Sequence, residues 1–327
     1  MSRSSVLSLP ESQHNYLSVK SFSSKKPHKE GRIVGLKILV FVKQVPDTQN
    51  ISGSAMTPEG TVNRAALPAI FNPEDLNALE LALQLKDRYN AEVTVATMGM
   101  PAAAEVLRQS LYRGADRAVL VTDRALAGAD TLATSYTLSC CAKKVGAVDL
   151  ILCGRQAIDG DTAQTGPQIA EKLNIPQLCY VEEVKDIADG KITLRRAIEG
   201  GYEILESPMP ALLTVIDCNL PRPVNVKSMM KNKRAKTASE IKAAFKDDPA
   251  AADAEMAKLA AKGLLIEEWS AADIEADPQR IGFAGSPTKV KQVQSVILTA
   301  GDAKSVAPTA DAIAELMHEL ISDHTLG

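Results

Sequence analysis

Between residues 154 and 165 the chain reads Gly154-Arg155-Gln156-Ala157-Ile158-Asp159-Gly160-Asp161-Thr162-Ala163-Gln164-Thr165. An apolar run, Leu150-Ile151-Leu152-Cys153, stands before it, and a helical pattern over residues 164–173 follows. A strand, a loop of small residues and a helix start bring backbone N–H groups and the positive end of a helix to one place, which suits a nucleotide phosphate. Gly154 and Gly160 allow close backbone approach, and Thr162, Gln164 and Thr165 add neutral hydrogen-bonding groups. An ordinary strand-to-helix turn has the same outline, so the spacing alone leaves both readings open.

The remaining reactive residue types exclude more than they offer. The histidines are His14, His28, His318 and His324, with none between residues 29 and 317. That placement argues against a Ser–His–Asp triad, a Cys–His pair or a His-rich metal site, so no catalytic residue and no metal ligand is expected. The cysteines (140, 141, 153, 179 and 218) are odd in number and form no C-x-x-C pair, as in a reduced intracellular compartment. Cys153, within the apolar run, reads as a small core residue. A chain of this kind that handles electrons would borrow a cofactor. A net charge of -3 and an aromatic content of 4% argue against a general nucleic-acid binder. No apolar run approaches the roughly 20 residues that span a bilayer.

The elements that must position the 154–165 loop follow a regular order. Residues 1–35 are rich in Ser and Lys and read as disordered: a tail, a targeting segment, or a leader before a start near Leu36. Strands are expected at 38–42, 93–96, 118–121 and 150–153, with helices between them. Asn72-Pro73-Glu74-Asp75 has the form of a helix start, with Asn as cap, Pro in the first turn and acids beside it. Asp130 has the form of a second cap. This alternation predicts an α/β fold with a doubly wound, mostly parallel sheet over residues 36–216. Four strand-like runs between 178 and 216, with a Gly200-Gly201 turn, predict an antiparallel extension. Residues 217–327 are expected to form a basic segment and a C-terminal arm, ending in a helix with Ile313, Leu316, Met317, Leu320 and Ile321 on one stripe, which either docks on another subunit or packs back on its own domain.

The 154–165 string resembles the nucleotide loop of the electron transfer flavoprotein β subunit (FixA) family, which carries G-[KR]-Q-A-I-D-x-D-x-x-Q-T. The likeness runs from about residue 37 to 290. Lys37-Ile38-Leu39-Val40-Phe41-Val42-Lys43-Gln44 is similar to the family's first strand, and Asn72-Pro73 to its N-P pair. Arg196-Ala-Ile-Glu199-Gly200-Gly201-Tyr-Glu203-Ile-Leu205 with Pro210-Ala-Leu-Leu-Thr214 is similar to its signature, Met230-Lys231 to a basic segment, and Pro278-Gln279-Arg280 to its arm.

The resemblance implies an adenine-nucleotide α-hydrolase-like sheet and a heterodimer with an α subunit that carries most of an FAD. It implies electron transfer from flavin dehydrogenases, such as acyl-CoA dehydrogenases, to a quinone oxidoreductase or another acceptor. A second nucleotide, AMP or FAD, is expected in this subunit. Carried over by position, its contacts are Phe41, Asn72, Pro73, Glu74, Asp75, Met98 and the loop 154–165. The acids Glu74 and Asp75 would repel phosphate and are placed near adenine or ribose. The segment from Asp123 to Thr134 is similar to one in flavin-bifurcating members, where Asp130 and Thr131 would lie beside a second FAD that takes electrons from NADH. A capped helix without ligand fits the same residues. Partner docking is assigned to Val226 and the basic residues Lys231, Lys233, Arg234 and Lys236. Two departures limit the transfer: Thr48 stands where mitochondrial-type members have a flavin-facing Tyr, and Val226 stands near their anchoring Leu.

The rival classes lack their motifs. A universal-stress-type ATP-binding regulator would show G-x2-G-x9-G-[ST], which glycines 154, 160 and 166 do not match. An ATP-pyrophosphatase would need S-G-G-x-D-S, and a dinucleotide dehydrogenase glycines after the first strand, where Lys43-Gln44-Val45-Pro46-Asp47 stands instead. A cytoplasmic location is expected, with the mitochondrial matrix as the alternative.

Overall fold

Strands buried on both faces are apolar at most of their inner positions, and five runs of this chain fit that pattern, with Thr94, Thr97 and Thr214 as buried polar exceptions. In the computed structural model, which describes residues 35–47, 68–216, 220–289, 305–323 and 325, these runs form the centre of a sheet. They are β1 (Lys37–Phe41), β4 (Glu92–Met98), β5 (Arg117–Val121), β6 (Leu150–Gly154) and β10 (Ala211–Val215). Successive side chains point to opposite faces. Ile38 and Val40 join Leu79 and Leu83 of α1 (Pro73–Tyr89) and Leu107 of α2 (Ala104–Arg113) in one core layer. Leu39 and Phe41 join Leu138 and Cys141 of α3 (Thr131–Val145) and Ile169 of α4 (Thr165–Leu173) in the other. Helices on both faces of a parallel sheet are the doubly wound arrangement expected from the alternation.

The chain divides into two compact units, residues 1–50 with 67–291, and residues 51–66 with 292–327. The first holds a ten-stranded sheet. Its remaining strands are β7 (Gln177–Ala188), β8 (Lys191–Ile198), β9 (Gly201–Pro208), β11 (Lys236–Thr237) and β12 (Leu265–Trp269). The order is β11-β12-β5-β4-β1-β6-β10-β7-β8-β9. A short antiparallel pair, β2 (Gln44–Pro46) with β3 (Ala69–Phe71), lies apart from it. Helices α5 (Val226–Asn232), α6 (Ala238–Ala244) and α7 (Pro249–Ala261) complete this unit.

Two expectations need correction. Residues 178–216 are not wholly antiparallel. β10 inserts between β6 and β7 and runs parallel to both, while β8 and β9 pair antiparallel. All five β10 residues are buried, so it belongs inside the sheet, whereas β9 has mostly exposed positions and forms the edge. Nor is the segment after 216 one arm. β12 pairs in parallel with β5, and β11 with β12, so residues 236–269 extend the sheet. Arg117 clasps Glu267 with bonds of 2.6 and 2.8 Å, and Trp269 packs into the second core layer.

Within the second unit the described element is α8 (Ala310–Ser322), which has no buried residue; Ile313, Met317 and Ile321 are about half exposed. Residues 1–34, Thr48 and Cys218, on which sequence expectations fell, lie outside the described residues.

Candidate functional site

In the strand order, β1 is followed on one side by β4 and β5 and on the other by β6 and β10. The connections leaving β1 and β6 therefore diverge, and the carboxyl ends of these strands open a crevice at the switch point. The 154–165 loop leaves β6 there, and α1 begins beside it.

Asp75, in the first turn of α1, ties the two strand ends together. Its Oδ2 accepts from the Lys43 N–H and its Oδ1 from the Gly154 N–H, each at 2.9 Å. Burial pushes the Asp75 carboxyl up to about 7, against the lowering effect of its hydrogen bonds and of Lys43. Phe41, one residue before the crevice, is buried in the second core layer.

Asn72 departs from expectation. It precedes α1 but makes no side-chain cap bond. Its Nδ2 donates to the Gln156 carbonyl at 2.9 Å, and its Oδ1 accepts from the Ile158 N–H at 3.3 Å. The fully buried Asn72 amide thus clamps the loop instead of capping the helix. Pro73 occupies the first helical turn, where its missing N–H costs nothing.

The loop is braced from several directions. Arg155 donates to Glu74 at 2.5 Å, Gln156 to Asp161 at 2.9 Å, and Lys43 holds both Asp159 oxygens at 2.7 and 2.8 Å. Asp161 and Ala163 adopt positive φ values of 49° and 52°. Ala163 in the left-handed region followed by Gln164 in the right-handed one turns successive N–H groups toward one side, a concavity that suits an anion. It opens on the N-terminus of α4, where Gln164 supplies no side-chain cap because its Oε1 accepts from Thr131 Oγ1 at 2.9 Å. Gly154 serves packing: a Cβ there would lie 2.6 Å from the Glu74 carbonyl carbon. Gly160 faces open space, so neither glycine is in contact that a ligand need explain.

The residues present fit an adenine nucleotide. Glu74 Oε2 is buried and without a hydrogen-bond partner, an acceptor available to a ribose hydroxyl. Met98, at the end of β4, is half-buried in the same layer as Phe41.

Asp130 caps α3, accepting from Ala133 N–H at 3.0 Å. Its other oxygen accepts from Thr288 N–H at 3.0 Å, and its own N–H donates to Ser286 Oγ at 2.8 Å. Partial burial would raise its carboxyl pKa, but these backbone donors outweigh that and hold it below the ordinary value. Both oxygens are thus occupied by protein donors, and Thr131 is the group that reaches the loop. Sequence reasoning missed this latch between residues 282–288 and the α3 start. Its signal is the pair Gly282 and Gly285: Gly282 has φ +53°, and a Cβ there would lie 2.0 Å from the Ala125 carbonyl oxygen.

Val226 and the basic residues lie apart from the loop, on and just after α5, which packs on α2. Val226 is 70% exposed, and Lys231, Lys233, Arg234 and Lys236 are exposed. Among the described residues no group of side chains could hold a metal ion, and no helix is long and apolar enough to cross a membrane.

A doubly wound domain with a braced loop at its switch point defines the structural class. The family model for the electron transfer flavoprotein domain matches residues 59–247. The chain is 41% identical over 290 residues to the electron transfer flavoprotein subunit beta of Clostridium acetobutylicum, covering 88% of this chain and 99% of that protein. It is 40% identical over 294 residues to the caffeyl-CoA reductase-Etf complex subunit CarD of Acetobacterium woodii, covering 89% of this chain and 100% of that one. Protein FixA of Bradyrhizobium diazoefficiens is 42% identical over 262 residues, 78% of this chain and 81% of FixA. The chain belongs to the electron transfer flavoprotein β subunit family, which sets aside the universal-stress reading.

Proposed function

We propose that this chain works as the β half of a heterodimeric electron transfer flavoprotein and holds the adenosine-phosphate part of AMP or FAD in the crevice between β1 and β6. The observation that carries the reading is the loop 154–165. Asn72 and Asp75 hold it from behind, while the Ala163–Gln164 concavity and the start of α4 are left without a side-chain cap. A structural turn would not need this combination. Phosphate sits at the concavity, and Glu74 Oε2 accepts from ribose. The α subunit carries the FAD that exchanges electrons with flavin dehydrogenases and the acceptor, and this chain contributes no reacting side chain.

A second FAD in place of AMP would make the complex a flavin-bifurcating one that oxidises NADH. What favours this is the Thr131–Gln164 bond, which brings the start of α3 to the nucleotide loop, together with the likeness to CarD. Co-purifying the chain with its α partner and counting flavin and AMP per heterodimer tests both forms. One FAD with one AMP supports the carrier, and two FAD the bifurcating form. One FAD with no adenine nucleotide besides it removes the crevice assignment.

A further inference from the structure

We propose that Lys43 is a phosphate ligand of this crevice, kept in reserve by Asp159, and that an entering nucleotide takes its ammonium away from that carboxylate. The proposal rests on the nucleotide reading above and names the cation that reading lacks.

The loops leaving β1 and β6 carry two cations among the described residues, Lys43 and Arg155. Arg155 is committed to Glu74 at 2.5 Å. The nucleotide loop itself bears Asp159 and Asp161, whose charges oppose a phosphate dianion. Backbone N–H groups and the α4 terminus offer partial charges only. Among the described residues of these two loops, Lys43 is the cation left to supply a full positive charge.

Its position suits that task. The Lys43 N–H is pinned to Asp75 at 2.9 Å, which fixes its backbone at the end of β1. The flexible four-carbon stem then crosses to the loop, where Nζ meets both Asp159 oxygens at 2.7 and 2.8 Å. The two side chains are 47% and 23% exposed, so the pair faces water. An ion pair this exposed is weak and exchangeable, and a phosphate dianion is the stronger partner for an ammonium. The Asp161 carboxylate is already engaged by Gln156 at 2.9 Å. Asp159 is therefore the group that competes with phosphate for Lys43, and it keeps the crevice bridged until a ligand arrives.

The test uses the full chain co-purified with its α partner and stripped of exchangeable adenine nucleotide, titrated calorimetrically with AMP and with adenosine. Lys43→Met, which keeps the stem, should weaken AMP roughly tenfold or more and leave adenosine unchanged. Lys43→Arg, which keeps the charge, should restore the preference for AMP. Asp159→Asn should tighten AMP severalfold by releasing Lys43. Equal losses for AMP and adenosine in Lys43→Met, or no loss of either, would overturn the proposal. So would weaker AMP binding in Asp159→Asn. Binding of neither compound by the wild-type complex would instead remove the nucleotide reading beneath it.

Discussion

Gly154 and Asp75, 79 residues apart, meet where β6 ends and α1 begins: the Gly154 N–H donates to Asp75 Oδ1 at 2.9 Å, and a Cβ on Gly154 would lie 2.7 Å from that same oxygen. The contact leaves no room for any other residue, and it holds the 154–165 loop against the helix.

Gly154→Ala should therefore destabilise the protein by about 1–3 kcal/mol, the range for forcing atoms into a packed site. Gly160→Ala, facing open space, should be nearly neutral. Thermal or urea unfolding of the two variants side by side checks the contrast. Equal effects would show that the loop, not the contact with α1, sets the requirement for glycine.

Asp75 makes stability depend on pH with a sign opposite to most carboxylates. Its folded pKa is raised to about 7, above the unfolded value near 3.8, by burial. Between these values the native state binds the extra proton, so this residue's contribution falls as pH rises from about 4 to about 7. The stability difference between wild type and Asp75→Asn, measured by urea unfolding at pH 5, 6 and 8, should shift against the wild type as pH increases. A difference independent of pH would mean that Asp75 is ionised throughout.

We propose that the exposed bases Lys231, Lys233, Arg234 and Lys236, beside the exposed Val226, serve as an electrostatic docking patch for an acidic redox partner. Reversing two of these charges should slow electron transfer from a flavin dehydrogenase at low salt, with the gap closing as salt is raised. Rates that respond to neither the charges nor the salt would dismiss the patch.

The C-terminal helix α8 carries an uncovered apolar stripe. Its five large side chains could each contribute roughly 1.5–3 kcal/mol on burial against the α subunit, before ordering costs. Deleting residues 305–327 leaves β11 and β12 in the sheet, and should abolish or greatly weaken heterodimer formation while the remaining domain unfolds cooperatively as before. Unchanged affinity for the α subunit in a pull-down or calorimetric titration would end this reading.

Asp130→Ala removes the cap of α3 and one tie to the segment around Thr288. A loss of about 1 kcal/mol is expected from the cap, with faster proteolysis near residues 282–288. An unchanged cleavage pattern would show that Gly282 and Ser286 hold that segment by themselves.

Much of the fold was written locally. Runs such as Ile38-Leu39-Val40-Phe41 are apolar at every position, which only a strand buried on both faces requires, and helical spacing lies between them. Asp130 is a cap whose bond to Ala133 spans three residues, so short-range pattern finds it. The string from Gly154 to Thr165 is likewise contiguous. What tertiary structure decided are pairings between distant segments, where local pattern carries no information about the partner. β12 reaches β5 from about 150 residues away, Lys43 meets Asp159 across 116, and residues 282–288 close on the loop before α3. Asn72 shows the competition most directly. Its type and place before Pro73 say helix cap, yet its buried amide is taken by the Gln156 carbonyl and the Ile158 N–H, because folding brings those partly buried groups beside it and the buried amide must be paired.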